Sequence, residues 1–155
     1  MTPPSPAAAP ILDEPAGSPR AALLCALLAL GVLGWMTNQH PTLRQVDFIG
    51  FSVRAERLWD GGALDSDLLN TLYPVGYPAL LGLGQRLCGD VLWAGKALAV
   101  LAGAGLVGVT ARWLGVGAAL WALATPMVLE FGAVEGTDMP AAALSFGALA
   151  TAARR

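Results

Sequence analysis

Four long apolar runs divide this chain, and each has the length, or nearly the length, of a membrane-spanning helix. They cover residues 21–38, 91–112, 116–134 and 138–153, and the third is interrupted only by Pro126 and Glu130. A helix needs roughly 20 predominantly apolar residues to cross the hydrocarbon core of a bilayer. The pattern therefore predicts an all-α integral membrane protein with about four transmembrane helices.

The segment between the first two runs, residues 39–90, has a different pattern. In residues 46–60 large apolar side chains, among them Phe48 and Phe51, recur at helical spacing, with polar residues on another face. Residues 74–88 form a second short apolar stretch that opens with two prolines, which a first helical turn tolerates. We therefore expect two amphipathic helices lying at the membrane surface.

The polar flanks predict an orientation. Residues 1–20 hold six of the eleven prolines and little that could form a core, which is typical of a disordered tail. With that tail in the cytoplasm, basic residues fall at the cytoplasmic ends of the spans, as the positive-inside rule expects; they are Arg20, Arg112, Arg154 and Arg155. The chain is thus expected to be a multi-pass protein of the plasma (inner) membrane with a cytoplasmic N-terminus and an extracytoplasmic 39–90 loop.

Composition supports a membrane protein and excludes some functions. The 155 residues are 55% hydrophobic and 13% charged, with a mean hydropathy of +0.60. That charge content is about half the ~25% of soluble domains. A net charge of -2 without a basic stripe argues against nucleic-acid binding. The single histidine, His40, has no cysteine or histidine neighbours, so no metal site is assigned and a divalent-metal requirement stays open.

Ionisable residues near the predicted outer face are the candidates for chemistry. Acids kept close to hydrocarbon are usually functional, and Asp47 and Asp138 both fall on that face. Transfer of a group from a membrane-anchored phosphate donor needs a carboxylate to take a proton and cations to hold the phosphate. Arg54, Arg57 and Lys96 are the candidate cations. Each residue also has a non-catalytic alternative. The arginines could contact solvent or headgroups, and the lysine could extend its ammonium to the membrane surface. Asp138 could serve only to stabilise the N-terminus of a helix.

The order of these parts resembles a known family. The chain begins with one span, and Asp47 then opens an outer amphipathic helix. After these come YPVGYP at residues 73–78, Lys96 at the start of the next span, and Asp138-Met139-Pro140. This order resembles the N-terminal part of the polyprenyl-phosphate-dependent glycosyltransferases of the C fold. It is most similar to the protein mannosyltransferase and aminoarabinose transferase group, family 39.

The resemblance implies roles for the candidate residues. Asp47 and Asp138 would be catalytic, and Lys96, Arg54 and Arg57 would bind the phosphate of a lipid-linked sugar donor. The family usually has arginine where Lys96 stands, and lysine keeps the charge without the bidentate geometry. In the family the acid corresponding to Asp47 is often followed by a second acid, whereas here Phe48 follows, which weakens a metal-binding interpretation. Membrane lipids, and a missing C-terminal half or a partner subunit, are the other expected partners.

Two functions remain open at this stage. Members of the family have about twice as many spans or more, so we expect this chain to be the N-terminal module of such an enzyme and unlikely to be active alone. The alternative is a small non-catalytic accessory or scaffold protein whose outer loop binds lipid headgroups or a partner subunit. Neither the sugar nor the acceptor can be deduced from these residues.

Overall fold

A computed structural model describes residues 15–40, 44–60 and 76–152 of the chain, and in these ranges every regular element is an α-helix. The all-α prediction is therefore confirmed. In chain order the helices are α1 (Pro19–Asn38), α2 (Asp47–Trp59), α3 (Gly76–Cys88), α4 (Val91–Leu114), α5 (Val116–Ala124), α6 (Pro126–Phe131) and α7 (Asp138–Ala152).

Local sequence sets the ends of the two longest helices. The Ser18 hydroxyl accepts a hydrogen bond from the Ala21 backbone N–H at 3.1 Å, and the following proline occupies the first turn of α1. Asp90 does the same for α4, since its carboxylate accepts from the Trp93 N–H at 2.9 Å. α4 ends before Gly115, whose φ of 92° is a conformation that glycine adopts readily.

α1 and α4 form an antiparallel pair around which the other helices are arranged. The Gly17 N–H donates to the Arg112 carbonyl at 3.0 Å, which joins the beginning of α1 to the end of α4. At the opposite end, the Lys96 ammonium donates to the His40 carbonyl. Within the described ranges, these are the two helices long and apolar enough to cross a membrane.

Small residues let α1 and α4 approach closely. A Cβ atom added at Gly108 would lie 3.0 Å from the Cβ of Ala26 and 3.4 Å from the Ala22 carbonyl oxygen. A Cβ at Gly103 would lie 2.6 Å from Cδ1 of Leu33. Such close approach replaces the hydrophobic effect as a source of helix association in lipid. α5 and α7 then pack on α4, and the shared core includes Val107, Leu123 and Met139.

The structure differs from the predicted third span at residues 116–134. The helix is divided at Thr125, which is extended (φ -69°, ψ 137°) because the following Pro126 disfavours a helical conformation there. α6 ends at Phe131, and a non-helical segment follows to α7. The nine residues of α5 extend about 14 Å at 1.5 Å per residue, well short of the ~30 Å hydrocarbon core.

The fourth predicted span, 138–153, corresponds to α7. Its 15 residues extend about 22 Å, so it is also shorter than the hydrocarbon core. The described part of the chain thus contains two candidate membrane spans, and four transmembrane helices are not confirmed. Residues 1–14 of the predicted tail lie outside the described residues, and α1 begins at Pro19, inside the range assigned to that tail.

The two amphipathic helices of the 39–90 loop are α2 and α3, with residues 74 and 75 outside the described part. They pack against each other and against the beginning of α4. Their common core contains Phe48, Phe51, Ala55, Leu81 and Ala94. The apolar spacing that predicted α2 therefore marks its buried face.

Trp59 fastens the end of α2 to α3. Its indole N–H donates to the Ala79 carbonyl at 3.0 Å, and its ring lies against Gly82, where a Cβ atom would collide with it. The Arg86 guanidinium stacks over the ring, 4.7 Å from its centroid, and donates to the Trp59 carbonyl at 3.0 Å. These contacts hold the two amphipathic helices as one unit beside α4.

Replacing Gly108 with leucine should destabilise the α1–α4 pair by about 1–3 kcal/mol, the usual result of overpacking. Gly105 is the matched control, because it lies on the same helix and a Cβ there meets nothing within 4 Å. Gly105→Leu should not destabilise the protein. Denaturant titration in micelles, followed by circular dichroism, measures both variants. Equal stability of the two would contradict the close packing of α1 on α4.

Candidate functional site

A buried polar cluster lies at the end of the bundle where α1 ends and α4 begins. We define this polar cluster as His40, Gln45, Tyr77, Lys96 and Glu135. Its members come from four places: the segment between α1 and α2, the first turn of α3, the second turn of α4, and the segment between α6 and α7. α1 is joined to the last of these by the Thr37 hydroxyl, which donates to the Ala133 carbonyl at 2.8 Å.

Glu135 is the acidic member and is fully buried. Its Oε1 accepts two backbone hydrogen bonds, from the Arg44 N–H at 2.5 Å and from the Gln45 N–H at 2.8 Å. Its Oε2 is also buried and accepts no hydrogen bond from the residues that the structure describes. One carboxylate therefore fixes the chain just before α2 to the segment just before α7.

Lys96 is the basic member. It lies on a candidate membrane span, and its side chain is fully buried, with an exposed fraction of 0%. Its ammonium donates to the His40 carbonyl and lies 5.3 Å from the centroid of the Trp93 ring. Glu135 attracts it electrostatically. Because an isolated charge in a dry interior is costly, this opposite charge is what makes burial of the ammonium tolerable.

Two glycines let the segments around the cluster close on one another. A Cβ atom at Gly95 would collide with the Phe48 ring and lie 3.1 Å from the Cβ of Glu135. A Cβ at Gly136 would collide with the Gln45 side chain, and Gly136 has a positive φ of 154°. α2, α4 and the 132–137 segment thus meet with no room for larger residues at these positions.

Tyr77 completes the cluster from α3. Its ring packs edge-to-face on Phe51, with centroids 5.1 Å apart and an interplanar angle of 83°. The hydroxyl oxygen is buried and makes no hydrogen bond that meets normal geometry with the described part of the chain. Burial raises the pKa of Tyr77 well above its ordinary range, and the negative charge of Glu135 acts in the same direction, while the Gly136 backbone opposes it.

The residues predicted from the sequence divide into buried and exposed groups. Lys96 belongs to the cluster, and Arg54 is buried on α2. Asp47, Asp138 and Arg57 are exposed. Asp47 follows Gln45 by two residues and Asp138 follows Glu135 by three, so the Gln45–Glu135 hydrogen bond brings the N-termini of α2 and α7 to the same end of the bundle.

Glu135 and Tyr77 are the members that sequence reasoning missed as site residues. Glu135 was visible as an acid between two apolar runs, and Lys96 is the only lysine of the chain. An acid and a base at matching ends of different apolar runs are a signal for a buried pair. Tyr77 gave no such signal beyond its place in the YPVGYP motif.

The cluster does not offer a set of metal ligands. Among residues 15–40, 44–60 and 76–152, no three His, Cys, Asp or Glu side chains lie together in a way that could hold a metal ion. His40 contributes its backbone carbonyl to Lys96. No family model, curated protein or solved structure matches the chain.

Removing one charge of the cluster should destabilise the fold through the charge left behind. Glu135→Gln keeps an oxygen that can accept the two backbone N–H groups, and it removes the negative charge by replacing the other oxygen with an NH2 group. We expect this variant and Lys96→Met each to lose about 3–5 kcal/mol of unfolding free energy, as when one partner of a buried pair is removed. The double variant should lose less than the sum, with a coupling of roughly 0.5–3 kcal/mol.

Glu130→Gln is the control for this cycle, since Glu130 is exposed five residues before Glu135. It should change the unfolding free energy by no more than about 0.5 kcal/mol. Denaturant unfolding in micelles gives all four values. Strict additivity of the two single variants would show that Lys96 and Glu135 do not interact.

Tyr77 should titrate at a higher pH in the folded chain than in the unfolded chain. Because its folded pKa is raised, it stabilises the fold fully below the ordinary tyrosine pKa of about 10, and that contribution is lost as pH rises further. The chain has two tyrosines, so a Tyr73→Phe background isolates the signal in a spectrophotometric titration. Identical titration curves before and after unfolding would refute the burial of the hydroxyl.

Proposed function

We propose that this chain is the N-terminal module of an integral membrane glycosyltransferase. It moves a sugar from a polyprenyl-phosphate donor to an acceptor at the extracytoplasmic face. The chain is multi-pass in the plasma (inner) membrane, with its N-terminus in the cytoplasm.

The observation that carries the proposal is a buried lysine and a buried glutamate at the end of the bundle that also bears two exposed acids. Ionisable groups inside a membrane bundle are costly and are usually retained for function. Lys96 and Glu135 are both fully buried at the end of the bundle where Asp47 opens α2 and Asp138 opens α7. Buried charges of both signs at the same end of a bundle as two accessible carboxylates are a setting in which proton transfer and phosphate departure can be assisted.

The proposed roles follow from exposure. Asp47 is accessible and acts as general base or orients the acceptor, and Asp138 supports it from the N-terminus of α7. Arg57 is exposed and can meet the donor phosphate directly. Lys96 and Arg54 are buried, so in this arrangement they contribute positive potential from behind the site.

The proposed orientation is supported by the positions of the basic residues. Arg112 donates to the Gly17 carbonyl, and Arg20 lies in the first turn of α1, so both stand at the end of the α1–α4 pair opposite the polar cluster. Basic residues are enriched on the cytoplasmic side of spans. The cluster end is then extracytoplasmic.

A non-catalytic accessory protein is the second candidate. It is favoured by the complete enclosure of Lys96, whose hydrogen bond to the His40 carbonyl is what a structural role requires. It is also favoured by the exposed leucines Leu80, Leu83 and Leu87, which form a stripe along α3 that a partner or the membrane surface could cover.

Asp47→Asn should lower sugar transfer by about 10²–10⁴-fold, the usual effect of losing a general base. Asp60→Asn is the matched control, because it makes the same change at the opposite end of the same helix, where the side chain is also exposed. Transfer is measured in proteoliposomes with a radiolabelled polyprenyl-phosphate sugar, the full chain and any further part of the enzyme. Membrane insertion of both variants should match that of the natural sequence.

Retention of the labelled donor by the natural chain is the accompanying readout. The proposal requires that the donor co-purifies with the chain in lipid nanodiscs. Unchanged turnover by Asp47→Asn would remove Asp47 from the mechanism. Absence of donor retention would favour the accessory protein.

A further inference from the structure

A cavity lies beside the polar cluster, between the end of α1 and α6. The proposed transferase mechanism does not use it. Its volume is about 300 Å³, at the lower limit of the ~300–1,000 Å³ of small-ligand pockets. One wall is apolar and consists mainly of Met36, Pro126 and Leu129. A cavity of this size holds a headgroup, not a whole lipid.

The other wall of the cavity carries two opposite charges, Arg44 and Glu130. Arg44 lines the cavity, and its backbone N–H donates to Glu135, which leaves the guanidinium out of that contact. Both residues are exposed, so each charge can be reached by a molecule that enters the cavity. A ligand with one positive and one negative group can therefore meet both.

A separate, shallow apolar groove follows the exposed surface of α1. This groove has a volume of about 490 Å³ and is lined by Leu27, Leu28, Gly31, Val32 and Trp35. Val32 lies one helical turn before Met36, so one edge of the groove neighbours the cavity along α1. It has the position and polarity that suit a hydrocarbon chain.

The cavity also stands at the right depth for a headgroup. α1 ends at Asn38, the last residue of its apolar run, and the cavity begins at Met36, two residues before that end. Trp35 is 66% exposed next to it, and exposed tryptophans are enriched at the boundary between hydrocarbon and headgroups. Polar groups of a lipid in the same leaflet would reach Arg44 and Glu130.

We infer that this cavity binds the headgroup of a zwitterionic aminophospholipid, of which phosphatidylethanolamine is the simplest. The Arg44 guanidinium receives the phosphate, the Glu130 carboxylate accepts a charge-assisted hydrogen bond from the ammonium, and one acyl chain lies along α1. An anionic lipid without an amine meets repulsion from Glu130. A choline headgroup brings the positive charge but has no N–H to donate.

The test is competitive retention of three lipids with identical acyl chains. The purified full chain is placed in equimolar phosphatidylethanolamine, phosphatidylcholine and phosphatidylglycerol, extracted in mild detergent, and the retained lipid is quantified by native mass spectrometry. The natural sequence should retain about threefold to fivefold more phosphatidylethanolamine than either of the other lipids. This ratio corresponds to the binding free energy that one solvent-exposed ion pair contributes.

Variants separate the two charges. Glu130→Gln should make phosphatidylethanolamine and phosphatidylglycerol equally retained, while Glu130→Asp keeps the carboxylate and should keep the preference. Arg44→Gln should lower retention of every phospholipid and leaves the backbone N–H to Glu135 in place. Glu56→Gln and Arg20→Gln are controls, because both residues are exposed and neither lines the cavity, and they should behave like the natural chain.

Two results would overturn the inference. The first is equal retention of the three lipids by the natural chain. The second is a phosphatidylethanolamine preference that survives in Glu130→Gln while its circular dichroism spectrum remains that of the natural chain. Neither result bears on sugar transfer, so the headgroup site and the transferase proposal fail or succeed separately.

Discussion

The carboxylate of Glu135 is the contact on which one whole end of this molecule depends. It accepts two backbone hydrogen bonds from the chain that leads into α2, and it supplies the negative charge opposite Lys96 on α4. All of this takes place away from water, where hydrogen bonds and charges act strongly and an unpaired group is costly. The order of α2, α4 and α7 around that end follows from one buried side chain and the glycines that let the backbone approach it.

That arrangement gives the exposed surface two adjacent regions with different chemistry. On one side, the N-termini of α2 and α7 present Asp47 and Asp138 at the end of the bundle where Lys96 and Glu135 are buried. On the other side, Arg44 lines the cavity at the end of α1 while its backbone N–H donates to Glu135. A lipid bound there would rest against the segment that positions Asp47, which couples the membrane environment to the proposed catalytic end through a single residue.

Much of the helical arrangement could be predicted from the sequence. The apolar run at 21–38 matches α1, and the spacing of Phe48 and Phe51 identifies the buried face of α2, because apolar periodicity directly reflects which face is buried. The pairing of Lys96 with Glu135 could not be predicted, since it depends on how helices distant in sequence pack together. The break at Pro126 was also missed, because neighbouring helices can satisfy a proline inside a membrane helix and its presence alone does not decide the outcome.

The most direct test of the account is the reactivity of Lys96, the only lysine in the chain. An amine-reactive reagent applied in nanodiscs reports its enclosure, with the N-terminal amine as an internal reference and the detergent-unfolded chain as the exposed standard. The account predicts that Lys96 reacts more than about tenfold more slowly in the folded chain, because the reagent must wait for a local opening. Reaction at the same rate in the folded and unfolded chains would contradict the buried cluster.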